Sequence, residues 1–474
     1  MSFIRYKKFG RQEYAYEVVS VWDKALKKPR QKTKYLGIVI DKRKKIFKKG
    51  KAKDGKEKLI LDFGDTYLIY QFLKRIKFLP IVEKIFKGET NYLLALLFYR
   101  LCNPSAMKYA RVWYEGNFAK ILFRDVEISS QRVSESLEAF GDEYLQRQFF
   151  SAYIGMLKNL QKGIIIDTTA LPNQIHCSLS VWGYHDESVD KQIKFLFVIE
   201  KNSSLPLFFR YLPGNVVDVS SLKITLEELK RYGISWGFVL IDAGFFSEEN
   251  IKELYKGRLP FLTRLPSSRK LYRRLIRNEV RDLERVKHAV RYGKRVLFIK
   301  RKRVYLFGSE VYAYIILDPE RKGREIKKML LKVMDESFIE DEREIEYELM
   351  RKGVMVLISS FKISEDEVVP LYYMREMAEK LFRFSKDDLN LIPLRVHKEA
   401  TLRGYLFLLF VVLIVFVFLK KEIGTEYTVE EVLLTMRNLK CKVYEDDILV
   451  QEMTKEQKEI VEKLKILVPK SLGI

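Results

Sequence analysis

The chain changes its hydrophobic rhythm several times. Residues 1–60 alternate apolar and polar positions in short runs, as from Tyr14 to Trp22 and from Tyr35 to Ile40. A period of two with basic turn-like stretches between the runs predicts a small β-rich module. From residue 64 to 160 the apolar positions recur at three and four, notably from Tyr67 to Phe86 and from Tyr92 to Leu101, and predict helices. Ser129 and Ser130 precede Val133, Leu137 and Phe140, a spacing that suits the second helix of a helix-turn-helix. It suits a capped helix in an all-helical bundle better, because short helical pairs are common.

Gly163 begins a different pattern. Ile164, Ile165 and Ile166 form a β-branched run that reads as a central strand buried on both faces and ending at Asp167. Strand-like runs follow from Ile193 to Glu200 and from Leu205 to Tyr211, then a helix from Leu222 to Tyr232. A further buried strand runs from Gly237 to Ile241, ending at Asp242. A helix from Phe245 to Tyr255 and a fifth strand from Leu259 to Leu265 complete an α/β layer pattern. Residues 266–350 interrupt it with two β-like runs, Val296 to Phe307 and Val311 to Leu317, and an acidic helical stretch from Asp335 to Leu349. Val354 to Ser359 reads as a strand leading into a helical segment that extends to about Phe384. The tail, Thr428 to Leu467, reads as two short helices around a turn.

Gly404 to Leu419 is uncharged and almost wholly apolar. Its 16 residues fall short of the ~20 that a bilayer span needs, so a buried core helix packed on the sheet is expected and no membrane association.

Charge sharpens the picture. The chain has 474 residues and a net charge of +24, but residues 1–60 carry 20 Lys/Arg against 6 Asp/Glu, and residues 264–303 carry 16 against 3. Two basic zones on a nearly neutral body point to a polyanion partner; solvated lysine-rich surface is the bland alternative for either zone alone. The three cysteines, Cys102, Cys177 and Cys441, have no paired spacing, which argues against disulfides or a zinc module and for a reducing cytoplasm. The basic N-terminus lacks the apolar stretch of a signal peptide.

Three carboxylates carry the candidate chemistry. Asp167 and Asp242 each follow a buried apolar run and precede small or polar residues, Thr168–Thr169 and Ala243–Gly244. Ligand sites in α/β sheets form at the carboxyl ends of strands, and two neighbouring carboxylates repel unless a cation lies between them. Oxygen ligands there suit magnesium or manganese. Ser364 and Glu367 fit a capping box at the start of the later helical segment, and Pro370 marks either a kink or a first helical position. Beyond it, Tyr372, Arg375, Glu379 and Lys386 are spaced by three, four and seven, as on one helix face; by spacing alone, a solvated face with an ordinary Arg–Glu pair is the better reading. His176 and His185 follow the first strand and are expected to be structural or solvent-facing.

The stretch Tyr372-x2-Arg375-x3-Glu379-x6-Lys386 resembles the signature of a large group of insertion-sequence DDE transposases. Leu212-Pro213-Gly214-Asn215 with Asp218 resembles the segment that this group carries between its two aspartates. One departure is Tyr405, which stands where the family often has a histidine at the start of the apolar helix. The resemblance implies an α/β fold with a ribonuclease H-like catalytic core and a β-rich insertion before the last catalytic helix. It implies Asp167, Asp242 and Glu379 as metal-holding catalytic residues, two magnesium or manganese ions, and phosphate or base contacts by Tyr372, Arg375 and Lys386. The implied partner is DNA, at the element's terminal inverted repeats and at the target, with a dimer in the synaptic complex.

The expected organisation is a basic β-rich module (1–62), a helical DNA-binding or assembly domain (63–160), the first part of the catalytic core (161–265), an inserted β-rich subdomain (266–352), the last part of the core (353–422) and a helical tail (423–474). The expected activity is metal-dependent cleavage at transposon ends and strand transfer. A nuclease that does not join strands and a non-catalytic DNA-binding derivative are the alternatives.

Overall fold

The computed structural model describes residues 2–9, 12–23, 28–48, 59–157, 163–173, 175, 177–185, 188–215, 218–234, 237–336, 342–387, 398–445 and 447–473. It divides into two compact units. One comprises Met1–Leu59 with Lys442–Leu449 and Ser471–Ile474, the other Ile60–Cys441 with Val450–Lys470.

The first unit is built on an antiparallel meander of β1 (Ser2–Phe9), β2 (Gln12–Asp23), β3 (Lys28–Asp41) and β4 (Ile46–Lys48), in that order. The alternation seen in the sequence is the alternation of its two faces. On one face Tyr6 of β1 and Phe47 of β4 meet, with ring centroids 6.4 Å apart, across the row that holds Ala15 and Gly37. Both small residues are buried, and larger side chains there would hold the two rings apart. An extra residue, Leu36, interrupts the β2–β3 register between the pairs Ala15–Gly37 and Tyr16–Tyr35.

The second unit begins within β5 (Leu59–Asp62), at Ile60, and continues with a helical array: α1 (Gly64–Arg75), α2 (Leu79–Ile85), α3 (Thr90–Cys102), α4 (Ala110–Gly116), α5 (Ala119–Leu122), α6 (Ser130–Phe140) and α7 (Glu143–Met156). The Ser129 hydroxyl accepts the Arg132 N–H and caps α6. Val133, Ser136, Leu137 and Phe140 are buried, so α6 spends its apolar face on the core, as a bundle helix does.

A mixed sheet follows. β6 (Ile164–Pro172), β7 (Val181–His185), β8 (Ser188–Glu200) and β9 (Pro206–Pro213) are antiparallel neighbours through β8. After α8 (Asp218–Arg231), β10 (Val239–Ile241) joins β6 in parallel; after α9 (Glu248–Lys256), β11 (Phe261–Arg264) joins β10 in parallel. The inserted segment contains α10 (Lys270–Glu279), β12 (Ala289–Tyr292), β13 (Arg295–Leu306), β14 (Ser309–Leu317), α11 (Pro319–Glu336) and α12 (Glu342–Arg351), and leads to β15 (Val354–Ser359). β12–β13–β14 do not form a sheet of their own. β14 pairs with β15, β15 with β11, and one ten-stranded sheet results. The buried run from Ala313 to Leu317 supplies the continuous apolar strand that this extension needs.

The last helices are α13 (Glu365–Tyr373), α14 (Glu376–Asp387), α15 (Glu399–Ile423) and α16 (Val429–Arg437). β16 (Lys440–Val443), β17 (Asp447–Val450), α17 (Lys455–Lys463) and β18 (Ser471–Gly473) complete the chain. The tail therefore has the two expected helices, but two short strands lie between them where a turn was expected.

α15 is longer than its uncharged stretch, at 25 residues, and would pass as a membrane span by length and hydropathy alone. It is core instead: 89% of its most apolar window is buried. It packs on α3 and α6 as well as on β9, so helices as well as the sheet cover it. The crossing with α6 is close because small residues meet there. A Cβ on Gly404 would lie 1.6 Å from the Leu137 carbonyl oxygen, and one on Gly141 2.3 Å from that of Ala400. The cysteines are free, and burial raises the thiol pKa of Cys102 and Cys441.

Candidate active site

The site is set by register. Ile164, Ile165 and Ile166 are fully buried and pair in parallel with Val239, Leu240 and Ile241, which are buried too. Asp167 and Asp242 are the next residues on these two strands, so the pairing brings them level at the carboxyl end of β10. β6 does not stop at Asp167. It runs on to Pro172 because β8 continues to pair with it, Asp167 opposite Phe197 and Pro172 opposite Gln192. Asp167 therefore sits inside a strand and is 4% exposed. Asp242 leaves its strand and opens a single 3-10 turn, Ala243–Phe245, where its side chain reaches solvent.

Glu379 comes from α14. The signature stretch is not one continuous helix. Pro370 lies inside α13, the helix gives way at Met374–Arg375, and α14 begins at Glu376. Across the junction the backbone bonds are tight: Arg375 N–H to Tyr372 O, Met377 N–H to Met374 O, and Ala378 N–H to Arg375 O at 2.9 Å. The expected capping box is not formed; the Ser364 hydroxyl donates to the Glu367 carboxylate and caps no backbone N–H.

Arg375 ties the three acids together. Its Nη1 lies 2.9 Å from Asp242 Oδ1 and 3.6 Å from Asp167 Oδ1, and its Nη2 lies 2.8 Å from Glu379 Oε1. Burial pushes the Asp167 carboxyl up to about 7. Arg375 and the Thr168 N–H, which donates to Oδ1, pull it down; the like charges of Asp242 and Glu379 push it further up. Burial opposes the charge of Arg375, but Asp242 and Asp167, with smaller effects of Tyr372 and Glu379, outweigh it and raise its pKa.

Tyr372 lies beneath Arg375, with the guanidinium carbon 5.8 Å from the ring centroid. It is 4% exposed, and burial raises its hydroxyl pKa to about 12. In this arrangement it is a floor for Arg375, and its ring has no free face for a base. Tyr373 beside it stacks on Tyr292 of β12, centroids 5.7 Å apart, which anchors the helix junction to the inserted segment. In the sequence that contact leaves no mark beyond the aromatic at the end of β12. Thr263, fully buried on β11, approaches the Asp242 carbonyl, and the sequence does not mark that approach either. Lys386 lies in the last turn of α14; its side chain, like that of His185, and all of His176 fall outside the described residues. Tyr405 is buried in α15.

Among the described residues no three His, Cys, Asp or Glu side chains converge tightly enough to hold an ion as they stand. The Arg375 guanidinium lies among the acids and takes up the oxygens that would face an ion. Their chemistry still fits a hard divalent cation: three oxygen donors already face one positive group, and burial holds the carboxyl of Asp167 up even with that group beside it.

The second basic zone divides in two. On β13, Lys300 and Lys302 pair with Glu279, Arg301 with Glu365 and Arg303 with Glu310. On α10, Arg273, Arg274 and Arg277 are exposed while Tyr272, Leu275 and Ile276 are buried, so the helix turns a basic face outward.

Parallel strands level two aspartates, and one arginine joins them to a helix glutamate. The family model for the transposase DDE domain matches residues 158–415, more than half of the chain, and the protein belongs to that family. Among solved structures, it is similar to the piggyBac transposase in a synaptic complex with hairpin DNA. The identity is 12% and the TM-score 0.42, over 73% of this chain and 69% of that one. No curated protein sequence matches.

Proposed function

We propose that this transposase-family protein is an active DNA transposase, which cleaves DNA at the ends of its element and transfers the freed strand into target DNA. The observation that carries the reading is the pairing of Ile166 with Ile241, which sets Asp167 and Asp242 side by side within reach of the arginine that also holds Glu379. Strand order β9–β8–β6–β10–β11, with β10 parallel to β6 and β11 parallel to β10, supports reading this part of the sheet as a ribonuclease H-like core.

Asp167, Asp242 and Glu379 would hold two divalent ions, magnesium or manganese. Bound there, the ions would supply charge neutralisation for the attacking and leaving oxygens of an in-line displacement at phosphorus. The protein's own part is positioning. The buried strands fix the two aspartates, and Tyr372 carries the Arg375 guanidinium beside them. Displaced from the acids by the ions, Arg375 would offer its charge to a phosphate, and Lys386 is the other basic residue of the signature for such a contact. The exposed arginines of α10 extend the positive surface along which a DNA backbone would lie. The protein acts in the cytoplasm, as a dimer when two DNA ends are paired.

The test is an assay of purified protein with DNA carrying the element's own termini, magnesium and a circular target. Joined products support the transposase reading. Cleavage without joining identifies a nuclease, and binding without cleavage a DNA-binding derivative.

A further inference from the structure

The first unit carries a surface that the active site does not use. Strand register sorts the side chains of β1, β2 and β3 onto two faces. One face holds the acids of β2, Glu13 and Glu17, the former paired with Lys42 at 2.8 Å. The other carries Phe3, Arg5 and Lys7 of β1, Tyr14 and Tyr16 of β2, and Tyr35 of β3, around a fully buried Val18. The charges of its β1 and β2 residues, Arg5 and Lys7, are both positive.

The tyrosines form a cross-strand row. Tyr35 lies 5.4 Å from Tyr16 and 6.3 Å from Tyr14, centroid to centroid. The bulge at Leu36 is what places Tyr35 opposite Tyr16 and on the same face as Arg5. Tyr35 is 42% exposed and Phe3 50%. Lys7 reaches over the Tyr16 ring at 5.8 Å, and Arg5 over Phe3 at 5.6 Å while donating to Gln31. Large aromatic side chains at such exposure cost free energy unless a partner covers them, and polar residues would have served a merely solvated sheet face.

We propose that this face is a platform for single-stranded DNA, with unpaired bases stacking on Tyr16 and Tyr35 and the adjoining phosphates contacting Arg5 and Lys7. Tyr16 is half-buried and Tyr35 exposed, their rings tilted at 51° to each other, and a cluster of partly open rings beside cations suits bases out of a helix; duplex DNA presents its phosphates to a surface and keeps its base faces stacked inside. The excess of basic residues over the first 60 positions supplies the charge complementarity. The proposal rests on the DNA reading above and extends it to strands that have lost their partner, as cleavage at an element's end exposes them.

The experiment measures fluorescence anisotropy of labelled oligothymidine, and separately of a labelled duplex of the same length, with the full-length protein. Replacing Tyr16 and Tyr35 together by Ala weakens oligothymidine binding by roughly 5- to 150-fold per ring, the range for base–aromatic stacking. It leaves duplex affinity within about twofold. Tyr16→Phe with Tyr35→Phe keeps the wild-type affinity for both, because a phenyl ring stacks as well. Arg5→Gln with Lys7→Gln, which leaves the rings in place, flattens the salt dependence for oligothymidine by about 0.7 per phosphate contact removed. Equal loss toward both ligands in the Ala variant, unchanged oligothymidine binding, or an unchanged salt slope in the Gln variant overturns the platform. Wild-type protein that binds duplex but not oligothymidine overturns the platform alone; protein that binds neither overturns the DNA reading with it.

Discussion

The Arg375 guanidinium lies 2.9 Å from the carboxylate of Asp242, and the same group reaches Asp167 and Glu379. A cation among three acids relieves their repulsion, and a divalent ion at that point does the same with more charge. The two therefore compete for one set of oxygens. Replacing Arg375 by Gln removes the internal cation. The metal-free variant is expected to melt below wild type, and magnesium is expected to raise its melting temperature by more than it raises that of wild type. Thermal denaturation with and without magnesium measures both. A variant that gains no more from magnesium than wild type would show that the guanidinium does not occupy the ion's place.

Asp167 gives a pH dependence of definite sign. Its carboxyl is raised from 3.8 to about 7 by burial, so the folded, metal-free protein binds that proton more tightly than the unfolded chain. The stabilisation is fully present below the unfolded pKa near 3.8 and is lost as pH rises through about 7. Asp167→Asn cannot ionise and escapes the loss. The variant should melt higher than wild type at about pH 8, with a smaller gain at about pH 5. If the difference is the same at both pH values, the carboxyl titrates elsewhere.

The crossing of α6 and α15 depends on glycine. A methyl group on Gly404 meets the Leu137 backbone at 1.6 Å, and only movement of one helix can relieve that. Gly404→Ala is expected to cost about 3 kcal/mol, the upper end for overpacking, and to lower the midpoint of urea denaturation. Gly155 in α7 has nothing within 4 Å of the same position, and Gly155→Ala should stabilise by about 0.5–1 kcal/mol through helix propensity. Detergent should affect neither result, because α15 is buried within the protein.

What the sequence disclosed and what it hid have separate physical causes. Three isoleucines in succession announce a doubly buried strand, and the aspartate after them was legible for that reason. The continuation of β6 through Thr168 and Thr169 was not, because polar residues after an apolar run read as a turn, and it is pairing with β8 that keeps them extended. Spacings of three, four and seven fit one helix or two in tandem, so the junction at Arg375 left no mark on the pattern. β12–β14 looked like a separate subdomain because a linear sequence does not show that β14 pairs with β15. Residues 440–450 are two strands of only four residues each, too short for alternation to show. The basic zones were visible as counts, but which lysines and arginines already have acidic partners depends on the fold.

The triad is tested most directly through Glu379 and its neighbour Glu376. Both are exposed acids in the first turn of α14, three residues apart, and composition cannot distinguish them. Arg375 distinguishes them, since it holds Glu379 and not Glu376. Glu379→Gln keeps the shape and an acceptor but loses the charge. Its fold should persist, because the side chain is 45% exposed and adds little to the core. DNA binding should persist too, because the basic surfaces are untouched. Magnesium-dependent cleavage of a DNA end bearing the element's terminus should fall by about 10³-fold or more, as when half of a metal clamp is removed. Asp167→Asn and Asp242→Asn should behave alike, and a double variant should be little worse than either single one, because the three act as a unit. Glu376→Gln should cleave nearly as wild type. Single-turnover cleavage rates at saturating protein separate catalysis from binding. Normal cleavage by Glu379→Gln with a dead Glu376→Gln would move the third carboxylate one turn earlier on α14 and break the link between the signature and the site.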